Sequence, residues 1–332
     1  MGKIGTVVIP HAFSPRWIQI CVASLKTHKN EADFDILVVN NSVGHPSIKA
    51  LTETRLGEGV KVIEPRDPNI AGHQVALDMA IDLVETPWFI AFESDVQVMR
   101  DHWFDWMLSF EKDPYVAIIG WYWSIGIDDW RHYISPAGAL YRTSILKNLK
   151  AECLSNKDLA VCYGRNMSRR IDLAVEYKDT AGKMIPMGEW GPFLECRGFG
   201  NVYPFERDHW VPEPGNWISN RVEMQWEVIR LPGAMVEDAE ANSVGLPHRY
   251  TYVGPSESEA YFYHHWAGTV SKNFVKHGIT ENEFMKVPWW LKREYRIWNE
   301  TVPEDVRKLT MEKGLVFTFE EELAYAKTRV VS

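Results

Sequence analysis

The sequence predicts an α/β fold, a mixed but mainly parallel sheet flanked by helices and followed by a helical C-terminal appendage. Three observations carry this. Short apolar, β-branched runs alternate with stretches of helical spacing through the first hundred residues, each run stops at a polar cluster, and helical spacing returns after Thr280. Strands alternating with helices are the pattern of parallel βαβ units with helices on both faces.

Residues 4–10 (IGTVVIP) give a first strand ended by proline, and residues 17–28 carry Trp17, Ile20, Cys21, Ser24 and Leu25 at helical spacing. Residues 34–39 (FDILVV) give a second strand, buried and stopped by the polar run Asn40-Asn41-Ser42, and residues 48–56 a short helix. A third strand covers residues 60–63 (VKVI), an amphipathic helix residues 74–84, and a fourth strand residues 88–92 (WFIAF), which ends in Glu93-Ser94-Asp95. Ligands of such sheets bind outside the carboxyl ends of the strands, where His11, Asn40, Arg66 and the acidic triplet fall. Two more strands are expected at residues 115–120 (YVAIIG) and 135–142 (SPAGALYR). Residues 203–256 hold many prolines and read as long loops, and helices open near Glu281 and Pro303.

Composition narrows the class of function. With 45% hydrophobic and 24% charged residues among 332, the chain can build a sizeable core and is not a disordered or fibrous protein. A net charge of −9 disfavours a nucleic-acid acceptor without excluding one, since a local basic stripe could still exist. No run approaches 18 apolar residues and no leader pattern precedes the first strand, so a cytoplasmic location without a transmembrane segment is expected. Cys21, Cys153, Cys162 and Cys196 show no paired spacing and read as reduced thiols.

A strand that ends in acid-x-acid puts two carboxylates at the mouth of a sheet, where hard oxygen ligands can hold Mn²⁺ or Mg²⁺ against a diphosphate. Glu93 and Asp95 stand there. Taken with the strand VVIP, the helix CVASLKTH, the strand ILVV with Asn40-Asn41-Ser42, the run Asn69-Ile70-Ala71-Gly72 and the helix before Thr86-Pro87, this order resembles the nucleotide-binding half of the family 2 GT-A glycosyltransferases.

The resemblance implies a metal-dependent transfer of a sugar from a nucleotide diphosphate sugar to a hydroxyl of a glycan or another acceptor. A UDP-sugar is the first expectation, a GDP- or dTDP-sugar the alternative. Residues 1–100 would form the nucleotide-sugar-binding half and residues 101–280 the acceptor-binding half of one GT-A domain, with residues 281–332 as the appendage. Pro10, His11 and Ala12 would lie against the nucleoside, Asn40 near the base, and Arg66 and Asp67 near base or phosphate. Gly72 would let the backbone approach the sugar phosphate, and Glu93, Ser94 and Asp95 would form the metal triplet. The family usually has aspartate where Asn40 and Glu93 stand here.

A further ligand in the family often comes from a late histidine, and YFYHHWAGT supplies His264 and His265. Successive residues of a strand face opposite ways, so one of the two should ligate. His264 is the first expectation. Inverting transfer also needs a base for the acceptor hydroxyl, a task that suits a carboxylate. Glu189, between Gly188 and Trp190, is the first candidate, with Asp172, Asp179 and Glu195 as rivals. Trp121, Trp123 and Trp190 offer flat faces to acceptor sugars, as Tyr122, Trp130, Trp210 and Trp217 also could. Two other functions stand as alternatives. A sugar-1-phosphate nucleotidyltransferase would need a glycine- and lysine-rich loop after strand one, which residues 12–16 lack. A glycan- or nucleotide-sugar-binding protein without turnover is suggested by Asn40 and Glu93.

Overall fold

A computed structural model describes residues 2–42, 44–64, 73–123, 133–148, 226–239, 241, 249–265 and 279–330, together with the short strands at 171–172, 202–204 and 209–212. The first half runs β1 (Gly5–His11), α1 (Pro15–Thr27), β2 (Phe34–Asn40), α2 (Lys49–Thr52), β3 (Val60–Ile63), α3 (His73–Leu83), β4 (Trp88–Ala91), β5 (Val96–Val98) and α4 (Trp103–Leu108). There follow β6 (Val116–Trp123), β7 (Tyr133–Arg142), β8 (Ile171–Asp172), β9 (Val202–Pro204), β10 (His209–Pro212), β11 (Glu227–Leu231), β12 (Gly233–Glu237), β13 (Arg249–Val253) and β14 (Phe262–His264). Four helices close the chain: α5 (Glu281–Phe284), α6 (Val287–Thr301), α7 (Glu304–Glu312) and α8 (Phe319–Thr328).

The main sheet has the order β11-β6-β7-β4-β1-β2-β3. β4, β1, β2 and β3 are parallel, and β7 is antiparallel to both of its neighbours. All seven residues of β1 are buried, as expected of a strand covered on both faces. Its side chains alternate between two cores: Val7 and Ile9 pack on the α1 side, and Val8 on the side of α3 with Leu37 and Val39. From β1 the chain adds β2 and β3 on one side, then crosses back to place β4 on the other. The carboxyl ends of β1 and β4 therefore border a switch point.

A second, antiparallel sheet, β12-β13-β14-β5, stands beside the first. The two approach closely at Gly138. Its φ of +93° suits glycine, and a Cβ there would lie 2.4 Å from Cε2 of Phe262 on β14.

Helix α1 is buried from Arg16 to Leu25 because it lies between the sheet and the C-terminal helices. Its buried polar groups find partners in the appendage. Arg16 meets Glu294 of α6 at 2.9 Å and both carboxylate oxygens of Glu322 of α8 at 2.5 and 2.6 Å. Gln19 accepts from Trp298 Nε1 at 2.7 Å and donates to Thr310 Oγ1 at 2.9 Å. Helix α8 opens on a capping box in which Thr318 and Glu321 satisfy each other's backbone N–H groups.

Two expectations are corrected. The helix expected over residues 48–56 is broken into two 3₁₀ turns around the four-residue α2, because the Thr54 hydroxyl bonds to the carbonyls of Ala50 and Leu51 and competes with helix continuation. The stretch 203–256, read as loops, contains β10 to β13 and part of β9. β11 and β12 are half-buried, and Arg230, Pro232 and Gly233 break their apolar residues into pieces too short to mark two strands.

Candidate active site

The fourth strand delivers Glu93, Ser94 and Asp95 into a turn, and Asp95 leads directly into β5. β14 pairs antiparallel with β5, setting His264 opposite Val96, and the His265 N–H donates to the Asp95 carbonyl at 3.1 Å. This register brings the His264 imidazole over the acidic turn. Nε2 lies 3.2 Å from Glu93 Oε2 and 3.4 Å from Asp95 Oδ1. A one-residue slip would exchange the two histidines.

One ligand atom from each of Glu93, Asp95 and His264 can be chosen so that all three lie within 4.8 Å of one another. Neighbouring vertices of an octahedron with bonds near 2.1 Å stand about 3.0 Å apart. The two imidazole–carboxylate distances are close to that spacing, so the cluster fits a divalent cation with neighbouring positions left over. Asp95 and His264 are buried, while the Glu93 side chain is 30% exposed and marks the open side. Burial alone would depress the His264 pKa. The carboxylates of Asp95 and Glu93 outweigh it and push the imidazole up to about 10.

His265 faces the other way. Its Nε2 is 2.9 Å from Gln97 Oε1, its Nδ1 is 3.1 Å from Arg293 Nη2, and its ring lies 5.2 Å from that of Trp17.

At the ends of β1 and β2 a chain of polar side chains runs along the sheet edge. His11 Nε2 meets Ser47 Oγ at 3.0 Å, Ser47 meets the Ser42 hydroxyl at 2.9 Å, and that hydroxyl donates to Asn40 Oδ1 at 2.6 Å. Asn40 Nδ2 in turn donates to Glu64 Oε1 at 2.8 Å. The oxygen of Asn40, buried and also bonded to the Ser42 N–H, is committed inside the protein, and Glu64 carries the outward acceptor at this corner. Nothing in the sequence marks Glu64, which follows a strand of only four residues.

Pro10 and His11 are buried, Ala12 and Ser94 half-buried. Burial, with a smaller contribution from His45, lowers the His11 pKa to about 3. The unfolded chain takes up that proton below about 6.5, the folded chain only near 3, so stability present above 6.5 drains away as the pH falls. Between pH 7.5 and 5 the parent should lose about 2 kcal/mol more than His11→Gln. Urea unfolding of both proteins at the two pH values checks this. Parallel losses would mean that His11 charges in the fold.

Trp121 belongs to the main core at 6% exposure, and the edge of its indole lies against Gly233. Trp123 ends β6, but its side chain lies outside the described residues, as does that of Asp172. Arg66, Asp67, Gly72, Asp179, Glu189, Trp190 and Glu195 also lie outside them, as do Trp130 and Trp217 and the side chains of Tyr122 and Trp210. Cys21 is buried without a disulfide, and burial pushes its thiol pKa up.

The sequence matches the model of glycosyl transferase family 2 over residues 6–177, more than half of the chain, and the chain belongs to that family. Its mainly parallel sheet flanked by helices, with helices at the C-terminal end, is the GT-A arrangement. No match is found among curated proteins. Similar solved structures include S. aureus TarS 1-349 in complex with UDP, at 17% identity and TM-score 0.36. The match covers 49% of this chain and 55% of that one, about half of its length. Glucosyl-3-phosphoglycerate synthase from Mycobacterium tuberculosis, in complex with Mn²⁺, UDP and glucosyl-3-phosphoglycerate, is 12% identical over 44% of this chain and 58% of that one, with TM-score 0.34. Mannosyltransferase PcManGT from Pyrobaculum calidifontis, in complex with GDP-Man and Mn²⁺, is 9% identical over 98% of this chain and 85% of that one, with TM-score 0.39. Among the described residues no helix is long and apolar enough to cross a membrane.

Proposed function

We propose that the protein transfers a sugar from a nucleotide diphosphate sugar to a hydroxyl of a glycan or another acceptor, with inversion. The observation that carries this reading is the Glu93, Asp95 and His264 cluster at the carboxyl end of β4, in a chain of family 2. The three residues would hold Mn²⁺ or Mg²⁺, which supplies neutralisation of the charge that gathers on the departing diphosphate. The exposed side of Glu93 leaves room for phosphate oxygens. Asp95 and His264 are buried, and the β5–β14 pairing sets the histidine opposite the acidic turn. The nucleoside would extend along the ends of β1 and β2, over Pro10 to Ala12, and Glu64 would supply the acceptor that Asn40 has committed elsewhere. Arg66 and Gly72 stand as proposed phosphate-side contacts. Glu189 is the proposed general base, with Trp123 and Trp190 on the acceptor side.

Nucleoside diphosphate with Mn²⁺ should raise the melting temperature, and EDTA should remove most of the gain. At a ligand concentration one hundred times Kd the stabilisation is about 2.7 kcal/mol. Thermal unfolding with UDP, GDP and dTDP in turn measures it and ranks the bases. A shift indifferent to the chelator would overturn the metal role, and binding without donor hydrolysis or transfer would favour a binding protein.

A further inference from the structure

The residues that flank the cation cluster are fastened from outside both sheets. Arg293 of α6 is buried at 6% exposure, and its Nη2 donates to His265 Nδ1 at 3.1 Å while its Nε faces Asp238 Oδ2 at 3.3 Å. A guanidinium has only donors, so Nδ1 accepts, and the ring proton sits on Nε2, directed at Gln97 Oε1. Gln97 Nε2 donates in turn to Thr301 Oγ1 at the end of α6, 2.8 Å away. The helix therefore grips Gln97, two residues past Asp95, and His265, one residue past His264. The His265 N–H closes the loop on the Asp95 carbonyl at 3.1 Å.

The strands that carry the cluster are short. β14 is held by β13 on one side, but β5, which follows Asp95, is an edge strand paired to β14 by three residues alone. We propose that Arg293 is a positioning residue for the cation cluster. Through His265 it fixes β14 against Asp95 and so sets the distance from the His264 imidazole to the two carboxylates. The C-terminal helices then act on cation affinity without touching the cation. This inference rests on the reading of Glu93, Asp95 and His264 as cation ligands.

Outer partners of metal ligands typically govern affinity by about 10–100-fold. Arg293→Met and His265→Gln should each weaken Mn²⁺ binding by about tenfold or more in that range, read from the electron paramagnetic resonance signal of free Mn²⁺ in a titration of the full chain without nucleotide. The double variant should bind as weakly as either single one, because both cut the same linkage. At saturating Mn²⁺, kcat of the single variants should recover toward the parent's while the metal requirement stays raised. Arg293→Lys, which keeps a charge and a donor, should fall between parent and Arg293→Met, and it serves as the test if Arg293→Met does not fold. Lowered melting temperature with parental Mn²⁺ affinity would overturn the proposal and leave Arg293 as a packing residue only. A parent that binds Mn²⁺ no better than Asp95→Asn would overturn the ligand reading itself, and this proposal with it.

Discussion

Arg16→Ala is expected to cost about 3–5 kcal/mol of folding free energy, the usual loss when one partner of a buried ion pair is removed. The guanidinium is 2% exposed and satisfies carboxylates 7% and 12% exposed, one of them through two hydrogen bonds, while resting 4.2 Å from the centre of the Tyr295 ring. Its removal takes away the cation that Glu294 and Glu322 share, in a place that water reaches poorly. Equilibrium unfolding in urea measures the loss. Adding Glu294→Gln and Glu322→Gln to Arg16→Met should return a large part of it, because the cost lies in stranded charge more than in lost attraction. A loss below about 1 kcal/mol, the range of surface pairs, would mean that solvent screens the cluster.

The second large effect is on turnover. Asp95→Asn should lower kcat/KM by about 10³-fold, equivalent to about 4 kcal/mol of lost transition-state stabilisation. The change is nearly isosteric, at a residue 4% exposed whose backbone carbonyl remains paired with His265, so the fold should persist. His264 keeps Glu93 as a partner at 3.2 Å. The check is initial rates with donor at varied Mn²⁺, alongside the melting temperature. Parental rates in the variant would sink the metal reading, and a collapsed melting temperature would show that Asp95 is needed for folding instead.

The parts of this fold that sequence made legible are those with strong local periodicity. β1, α1, β2, α3 and β4 were marked because strands covered on both faces must be apolar throughout, and helices on a sheet must carry a stripe. β11 and β12 are half-buried and escaped that logic. At the site, the acidic turn after β4 was visible because the end of a strand can be located from its apolar run. The pairing of Asn40 with Glu64 was not, since it joins residues 24 positions apart through a side-chain amide that could have faced a ligand equally well. Nor was the grip of Arg293 on His265. Arginine on an amphipathic helix ordinarily reads as a solvated face, and only the tertiary placement of α6 shows that this one is buried.

The bond from Arg16 to Glu322 spans 306 positions of the chain. At a synthesis rate of about 5–20 residues per second, roughly 15–60 s separate the appearance of the two residues on the ribosome. Through that interval the sheet can assemble, but the outer side of α1, with its arginine and Gln19, has no cover. The growing chain therefore presents an apolar helix with an unanswered charge, a surface that invites chaperones and premature association alike. Pulse-labelled chains should become protease-resistant in two stages, the sheet first and α1 only after residue 322 has emerged.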